Sequence, residues 1–276
     1  MPVRPALFAA ALLVATLPAA AAAAADPAPT GAKVAYRWTE MSVDFGNLHL
    51  AANLLGYELA APTGGPVSTL FGAFELSPHL MVKGVATLPL LGFIGAGESP
   101  FRLEAGLSFH GSRMDVEQET LVLEQTTDAT HVRTKSMTVP VLNRNSVGVG
   151  GGLLFRRSGV ESVVDGDERA MRASHLTLWA GVSTLNAAGY SLEAQGYGSF
   201  TNHRWTHAGL DLLFDVARTY DADPDADPSR FGGRLWAETI FGRTLGLSGR
   251  LEIGYMPGDS GWYMLASLGG GLNLGL

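Results

Sequence analysis

Hydrophobic and polar residues alternate through the C-terminal quarter of the chain. In the run 205–217, Ala208 and Leu210 fall on one side of an extended strand. His207 and Asp211 fall on the other side. Side chains of a strand point alternately to its two faces, so this period of two predicts strands with one apolar and one polar face. The same pattern recurs in 235–241, 247–255 and 262–274.

The alternation extends back toward the N-terminus. It is clear in 67–76, 80–88, 101–110, 147–155, 176–183 and 190–200. The segment 49–59 is apolar and fits either a strand or a short helix, whereas 34–45 is aromatic and alternates poorly. The polar, β-prone stretch 113–139 predicts a hairpin that extends beyond any apolar belt and turns near 125–129. A charged loop is predicted at 159–172.

Alternating segments of about ten residues, separated by turns, are typical of outer-membrane β-barrels. The chain resembles bacterial outer-membrane β-barrel proteins over nearly its whole length, although no motif assigns it to one family. The resemblance implies an all-β fold, a closed antiparallel transmembrane barrel of about twelve to fourteen strands. Such barrels usually end in an aromatic residue, whereas this chain ends in Leu276. A soluble β-sandwich or jelly roll would show the same alternation.

The composition of the polar faces favours the barrel over the sandwich. These faces are rich in Gly, Ser, Thr and aromatic residues, whereas a soluble exterior would carry more Lys and Glu. The chain has 35 glycines, and its charged residues amount to 16%. Its net charge of −7 gives no indication of a nucleic-acid partner.

The N-terminus has the features of an export signal. Arg4 precedes an apolar stretch and a run of alanines, which predicts a signal peptide at 1–25 and a linker at 26–33. The barrel would then occupy 34–276, in the outer membrane of a Gram-negative bacterium. Its expected partners are outer-membrane lipid, the barrel-insertion machinery and other envelope proteins. With no cysteine in the chain, disulfides and Cys-based metal sites are excluded.

Charged residues of both signs fall on the polar strand faces and are predicted to line the lumen. They are Lys83, Arg102, Glu104, Arg156, Glu193, Asp211, Asp215, Arg234, Glu238, Arg250 and Glu252. Two interpretations stay open. The charges either neutralise one another as an internal salt-bridge network, or they form the constriction of a pore.

Three further patterns carry possible chemistry. His110 and Ser112, with Glu124, resemble the His-x-Ser motif of outer-membrane phospholipases and lipid A deacylases, although those families have Asn where this chain has Arg113. The run Asp221–Asp227 has an acidic residue at every second position and could bind Ca²⁺, but it lacks the glycine and distal glutamate of a calcium loop. His203 and His207 share a strand face, and a zinc site there would need a third ligand.

The function expected from the sequence is a non-enzymatic barrel without metal or cofactor, acting as a narrow passive channel for small solutes or ions. The alternative is a structural or anchoring barrel of an envelope assembly, with 113–139 as its binding surface. A lipid hydrolase using His110, Ser112 and Glu124 is a third hypothesis. Several aromatic residues near predicted strand ends are expected to form the belts at the membrane interfaces. They are Tyr190, Phe200, Trp205, Tyr255 and Trp262.

Overall fold

Ten antiparallel strands, β2 to β11, form one hydrogen-bonded ring. Each strand pairs with its neighbour in the chain, β11 pairs with β2, and the ladder between β7 and β8 completes the circuit. A short additional strand, β1, pairs with the end of β7 through Tyr36↔Ala194 and Trp38↔Leu192. The predicted all-β, antiparallel fold class is confirmed.

The computed structural model describes residues 36–38, 47–60, 65–90, 101–127, 132–164, 167–194, 196–220, 229–242, 245–258 and 262–274. The strands are β1 Tyr36–Trp38, β2 Leu48–Ala60, β3 Gly65–Ser77, β4 Leu80–Pro89, β5 Phe101–Thr127, β6 Val132–Val164, β7 Asp167–Ala194, β8 Gly198–Tyr220, β9 Phe231–Phe241, β10 Gly246–Tyr255 and β11 Trp262–Leu274. The predicted signal peptide, linker and acidic run Asp221–Asp227 lie outside these ranges and stay predictions.

The two faces of the strands have the composition that the alternation predicts. Large apolar side chains point outward and are exposed, for example Leu107 at 48%, Val149 at 60% and Leu212 at 70%. Polar side chains point into the lumen and are buried, among them Thr177 and Asp215. We call the outward apolar side chains of the ring the apolar belt.

The ring has fewer strands than the twelve to fourteen that were predicted. The segments predicted at 101–110 and 113–124 are one strand, β5, because the ladder between Gly111↔Val147 and Ser112↔Ser146 runs on without a break. The predicted strand 190–200 instead contains the turn at Gly196 and Tyr197, which joins β7 to β8. The predicted charged loop 159–172 is mostly strand, since β6 extends to Val164 and pairs with β7.

The strands fall into two length classes. Those from β2 to β4 and from β9 to β11 have 10–13 residues, whereas β5 to β8 have 23–33. We call the end of the ring at which β2 begins and β11 ends the terminus end, and the opposite end the loop end. The long strands continue past the terminus end as two hairpins. We call these parts, 111–127 with 132–141 and 190–194 with 198–203, the hairpin wall.

The two hairpins of the wall separate from each other and touch again near their tips. The ladder between β6 and β7 begins at Leu142↔Gly189, so the strands beyond that pair are not joined. At the tips, the Lys135 ammonium donates a hydrogen bond to the Tyr197 hydroxyl and lies 4.9 Å from the centre of its ring. Among the described residues, no helix is long and apolar enough to cross a membrane.

Candidate functional site: the lumenal charge network

Eight charged side chains, four of each sign, meet inside the ring. They come from β4, β5, β8, β9 and β10, and each is at most 5% exposed. We call them the lumenal charge network: Lys83, Arg102, Glu104, Asp211, Arg234, Glu238, Arg250 and Glu252. The equal number of cations and anions leaves no net charge to be held away from water, which is the condition under which buried ions are tolerated.

Arg234 is the centre of the network. Its guanidinium forms two hydrogen bonds of 2.7 Å with the Glu104 carboxylate and one of 2.8 Å with Asp211. A third carboxylate, Glu252, lies 3.3 Å away. Asp211 is the register partner of Arg234 on the adjacent strand, so that pair follows from the β8–β9 ladder.

Other ion pairs cross the lumen from one side of the ring to the other. Arg102 on β5 donates hydrogen bonds of 3.0 and 2.8 Å to the Glu252 carboxylate on β10, and these two strands are five positions apart in the ring by either route. The bond from Arg234 on β9 to Glu104 on β5 also crosses the interior. These bonds occupy the middle of the lumen, which is therefore filled at this level.

Aromatic side chains complete the network. The Lys83 ammonium lies 4.2 Å from the ring centre of Trp179 and 4.0 Å from that of Trp236, and 3.6 Å from Glu104. Trp236 also donates a 2.9 Å hydrogen bond to Asp211. These two tryptophans were not among the predicted lining residues, although both fall on the polar face of their alternating runs.

Tyr263 is a further lumenal residue outside the predicted set. Its hydroxyl donates a 2.5 Å hydrogen bond to Glu252. The sequence could have identified Tyr263 as lumenal, because it lies on the polar face of β11 whereas Trp262 and Met264 lie on the apolar face.

The remaining predicted lining residues lie outside the network. Toward the loop end, His175 bonds to Asp215 at 2.7 Å and Arg156 donates to the carbonyl oxygen of Pro257. Glu193 is exposed near the tip of the β7–β8 hairpin, so its prediction as a lumenal residue is corrected. Glu193 is on the face of β7 that is lumenal within the ring, as the alternation predicts, but this part of β7 belongs to the hairpin wall and lies beyond the ring.

Histidines gather toward the terminus end of the lumen. His207 contacts Trp236, with 4.6 Å between ring centres, and His110, at 5.6 Å. Trp205 is fully buried and stacks on His49 at 4.7 Å. Trp205 is therefore a lumenal residue, and its prediction as part of a membrane belt is wrong. By contrast, Trp262 is 73% exposed at the start of β11.

The described residues do not bring a hydrolase site or a metal site together. His110 faces the lumen and bonds to Ser108 at 2.9 Å, whereas Ser112 and Glu124 are exposed. His110 and Glu124 are on the same extended strand, roughly 46 Å apart at about 3.3 Å per residue, so Glu124 cannot orient this histidine. His203 and His207 share the lumenal face, but no group of three metal-ligating side chains occurs in the described part of the chain.

Comparison with known structures finds only weak similarity, of which one example is an outer membrane protein. The chain matches a loop-deletion mutant of OmpT, an outer membrane protein of Vibrio cholerae, with 9% identity and a TM-score of 0.20, over 83% of this chain and 99% of that one. No family model and no curated protein matches. A similarity this weak carries no argument about function. The all-strand ring is consistent with an outer-membrane β-barrel of unassigned family.

The prediction that the protein is not an enzyme has to be corrected. The structural similarity is to a protein described as an outer membrane protein, and that description gives no ground for excluding catalysis. The outer-membrane fold itself includes lipid hydrolases, as the His-x-Ser resemblance noted above already implies. We therefore withdraw the exclusion.

Proposed function

We propose that this chain is an outer-membrane barrel that serves as a scaffold of the cell envelope, with a sealed lumen and with the hairpin wall as its binding surface. The observation that carries the proposal is the contrast between the lumen, which ion pairs cross from wall to wall, and the four strands that continue beyond the ring. The proposal includes export through the predicted signal peptide and a Gram-negative host.

The sealed lumen supports a function outside the ring. Arg234 alone engages three carboxylates, and Arg102 spans the ring to reach Glu252. A solute that passed through would have to break these bonds and leave buried charges unpaired, at a cost of several kcal/mol for each ion. Such a lumen suits a structural core.

The lengths of the connections indicate how the barrel is oriented in the membrane. Bacterial barrels have short periplasmic turns and longer extracellular loops. At the loop end the connections at 90–100 and 221–230 are long, whereas at the terminus end β3 joins β4 through Pro78 and His79. This supports a periplasmic terminus end, so that the hairpin wall would face periplasmic proteins.

Planar-bilayer recording combined with excision of the wall tests the proposal. Replacement of 118–140 by Asn-Gly joins Glu117 to Val141, a hydrogen-bonded register pair of the kind that closes a two-residue hairpin turn, and keeps Arg144 on its Glu75 partner. We expect no conductance from the wild-type protein, and loss of co-purifying envelope proteins from the excised variant.

A photo-crosslinking residue provides the matched control for partner binding. Placed at Thr120 in the wall it should attach to protein, and placed at Leu212, which is 70% exposed in the apolar belt, it should attach to lipid. Equal co-purification with and without the wall would contradict the scaffold.

A second candidate function is the narrow channel for small solutes or ions, which the charged lining of the lumen favours. Discrete conductance steps from the wild-type protein, with an ion selectivity that changes on neutralising Arg234 or Arg250, would support the channel and overturn the scaffold. Neutralising the exposed Arg113 should leave selectivity unchanged, because its side chain is 81% exposed in the wall.

A further inference from the structure

The first strand of the hairpin wall has an edge without a partner. β5 pairs with β4 from Arg102 to Phe109, and the partner of Phe109 is Leu80, the first residue of β4. Beyond His110, β5 pairs with β6 on its other side as far as Thr127. Among the described residues, the β4-side edge of 111–127 pairs with no strand. A row of free backbone groups is the template on which another extended chain can pair.

One hydrogen bond shows which N–H groups of β5 point to the open edge. The His110 N–H donates to the carbonyl oxygen of His79 at 2.8 Å, so it points to the β4 side. Successive N–H groups of a strand point to opposite edges. The N–H groups of Val116 and Gln118 therefore also point to the open edge, whereas that of Glu117 points to β6.

The two faces beside this edge differ in charge. On the face that continues the lumenal side, Met114, Val116 and Val122 are 51%, 59% and 48% exposed, and the residues of β5 between Val116 and Val122 on this face, Gln118 and Thr120, are uncharged. The face that continues the outer side has Glu117 and Glu119, both exposed. Arg113 and Asp115 on that face neutralise each other across 3.0 Å. The edge therefore has one apolar and one acidic side.

The chain already adds a strand to this wall. β1 pairs with β7 at Leu192 and Ala194, just beyond the point where β6 and β7 separate. Strand addition is therefore compatible with the geometry of the hairpins.

We propose that the open edge of β5 at 111–120 binds an extended segment of a partner protein by strand addition. The segment alternates basic residues, which face Glu117 and Glu119, with apolar residues, which cover Met114 and Val116. Backbone hydrogen bonds to the edge give affinity, and the two faces give specificity. The inference rests on the proposed scaffold function and names the chemistry of its partner.

Synthetic peptides of about nine residues test the inference with the full-length protein in detergent. The probe alternates Lys and Val. One control alternates Glu and Val, a second has the same Lys and Val residues in two blocks, and a third has alternate backbone nitrogens methylated. We expect the first peptide to bind at least about tenfold more tightly than each control. Equal binding of the blocked or the methylated peptide would overturn strand addition, since charge alone would then suffice.

Two variants locate the binding edge. Gln118→Pro removes an N–H from the open edge and leaves the β5–β6 ladder intact, so it should weaken binding by about tenfold, whereas Gln118→Ala should not. Glu117→Lys with Glu119→Lys should reverse the preference toward the Glu-Val peptide. Heat-modifiable migration on a gel confirms that each variant is folded. Unchanged binding by the folded Gln118→Pro variant would overturn the inference.

The outcomes separate this inference from the function on which it rests. If the wall is needed for co-purification but the peptides and the Gln118 variants all bind equally, the scaffold function is supported and strand addition is contradicted. If excision leaves co-purification unchanged, the scaffold function is contradicted, whichever peptides bind.

Discussion

The short strands and the long strands of this ring follow the same alternation but end in different environments. β4 and β10 have 10 residues each, which is about the length needed to cross a membrane as tilted strands. β5 and β6 have 27 and 33. Inside the ring both classes point aliphatic residues outward. In the wall the outward positions of β5 include Glu117 and Glu119.

Alternation and environment are therefore separate signals in this chain. A period of two reports that a segment is a strand with two unlike faces. The chemistry of the outward face reports what surrounds it, which is lipid where the residues are Leu and Val and water where they are Glu and Thr. Along β5 the change occurs between Phe109, which is 60% exposed, and Arg113.

The largest expected effect comes from the centre of the ring. Arg234→Leu leaves Glu104, Asp211 and Glu252 without their shared cation and should destabilise the barrel by about 3–5 kcal/mol. The midpoint of urea unfolding in detergent measures this. Arg113→Leu is the control in the wall, where an exposed ion pair should contribute less than about 1 kcal/mol.

A second change in the same network sharpens the first. Glu104→Gln, added to Arg234→Leu, removes one of the stranded charges and should recover part of the loss. Equal and small effects of Arg234→Leu and Arg113→Leu would show that the ring and the wall do not differ in this way.

A glycine pair on β5 gives an intermediate effect. At Gly106 a Cβ would lie 2.1 Å from Cζ2 of Trp179, so Gly106→Ala must displace the tryptophan that contacts Lys83 and should cost about 1–3 kcal/mol. At Gly111, where the wall begins, the nearest atom would be 3.9 Å away. Gly111→Ala should therefore change stability by less than about 0.5 kcal/mol. Urea unfolding followed by tryptophan fluorescence compares the two, and a neutral Gly106→Ala would contradict close packing in the lumen.

The smallest effect is expected at the tips of the wall. The hydrogen bond that Lys135 donates to Tyr197 raises the pKa of the Lys135 ammonium above its ordinary value. A raised pKa means that the contact is fully present below the ordinary lysine value of about 10.4 and is lost as the pH rises through the folded value. The distance between the tips should therefore stay constant through neutral pH and increase in strong alkali.

Spin labels can follow that distance, because the natural chain has no cysteine to interfere. Labels on Thr134→Cys and Ser199→Cys should move apart when Tyr197→Phe is added, without a change in barrel stability. An unchanged distance would show that other contacts hold the tips together.

The faces of the strands could be predicted from the sequence, but their ends could not. His207 and Asp211 opposite Ala208 and Leu210 already identify the lumenal side of β8. The stretch around Arg113 loses its apolar face and so resembles a boundary, although the backbone ladder continues through it. The reverse holds at Gly196 and Tyr197, where the alternation in the sequence continues although the chain turns.

The sequence alone is enough to tell which residues share a face, because side-chain direction depends on the position along one strand. It also indicated that charges of both signs line the lumen, whereas the pair between Arg234 and Asp211 follows from the β8–β9 register. The bonds from Arg102 to Glu252 and from Arg234 to Glu104 were decided by the tertiary structure. They join strands four or five places apart, and the closure of the ring brings those strands within reach.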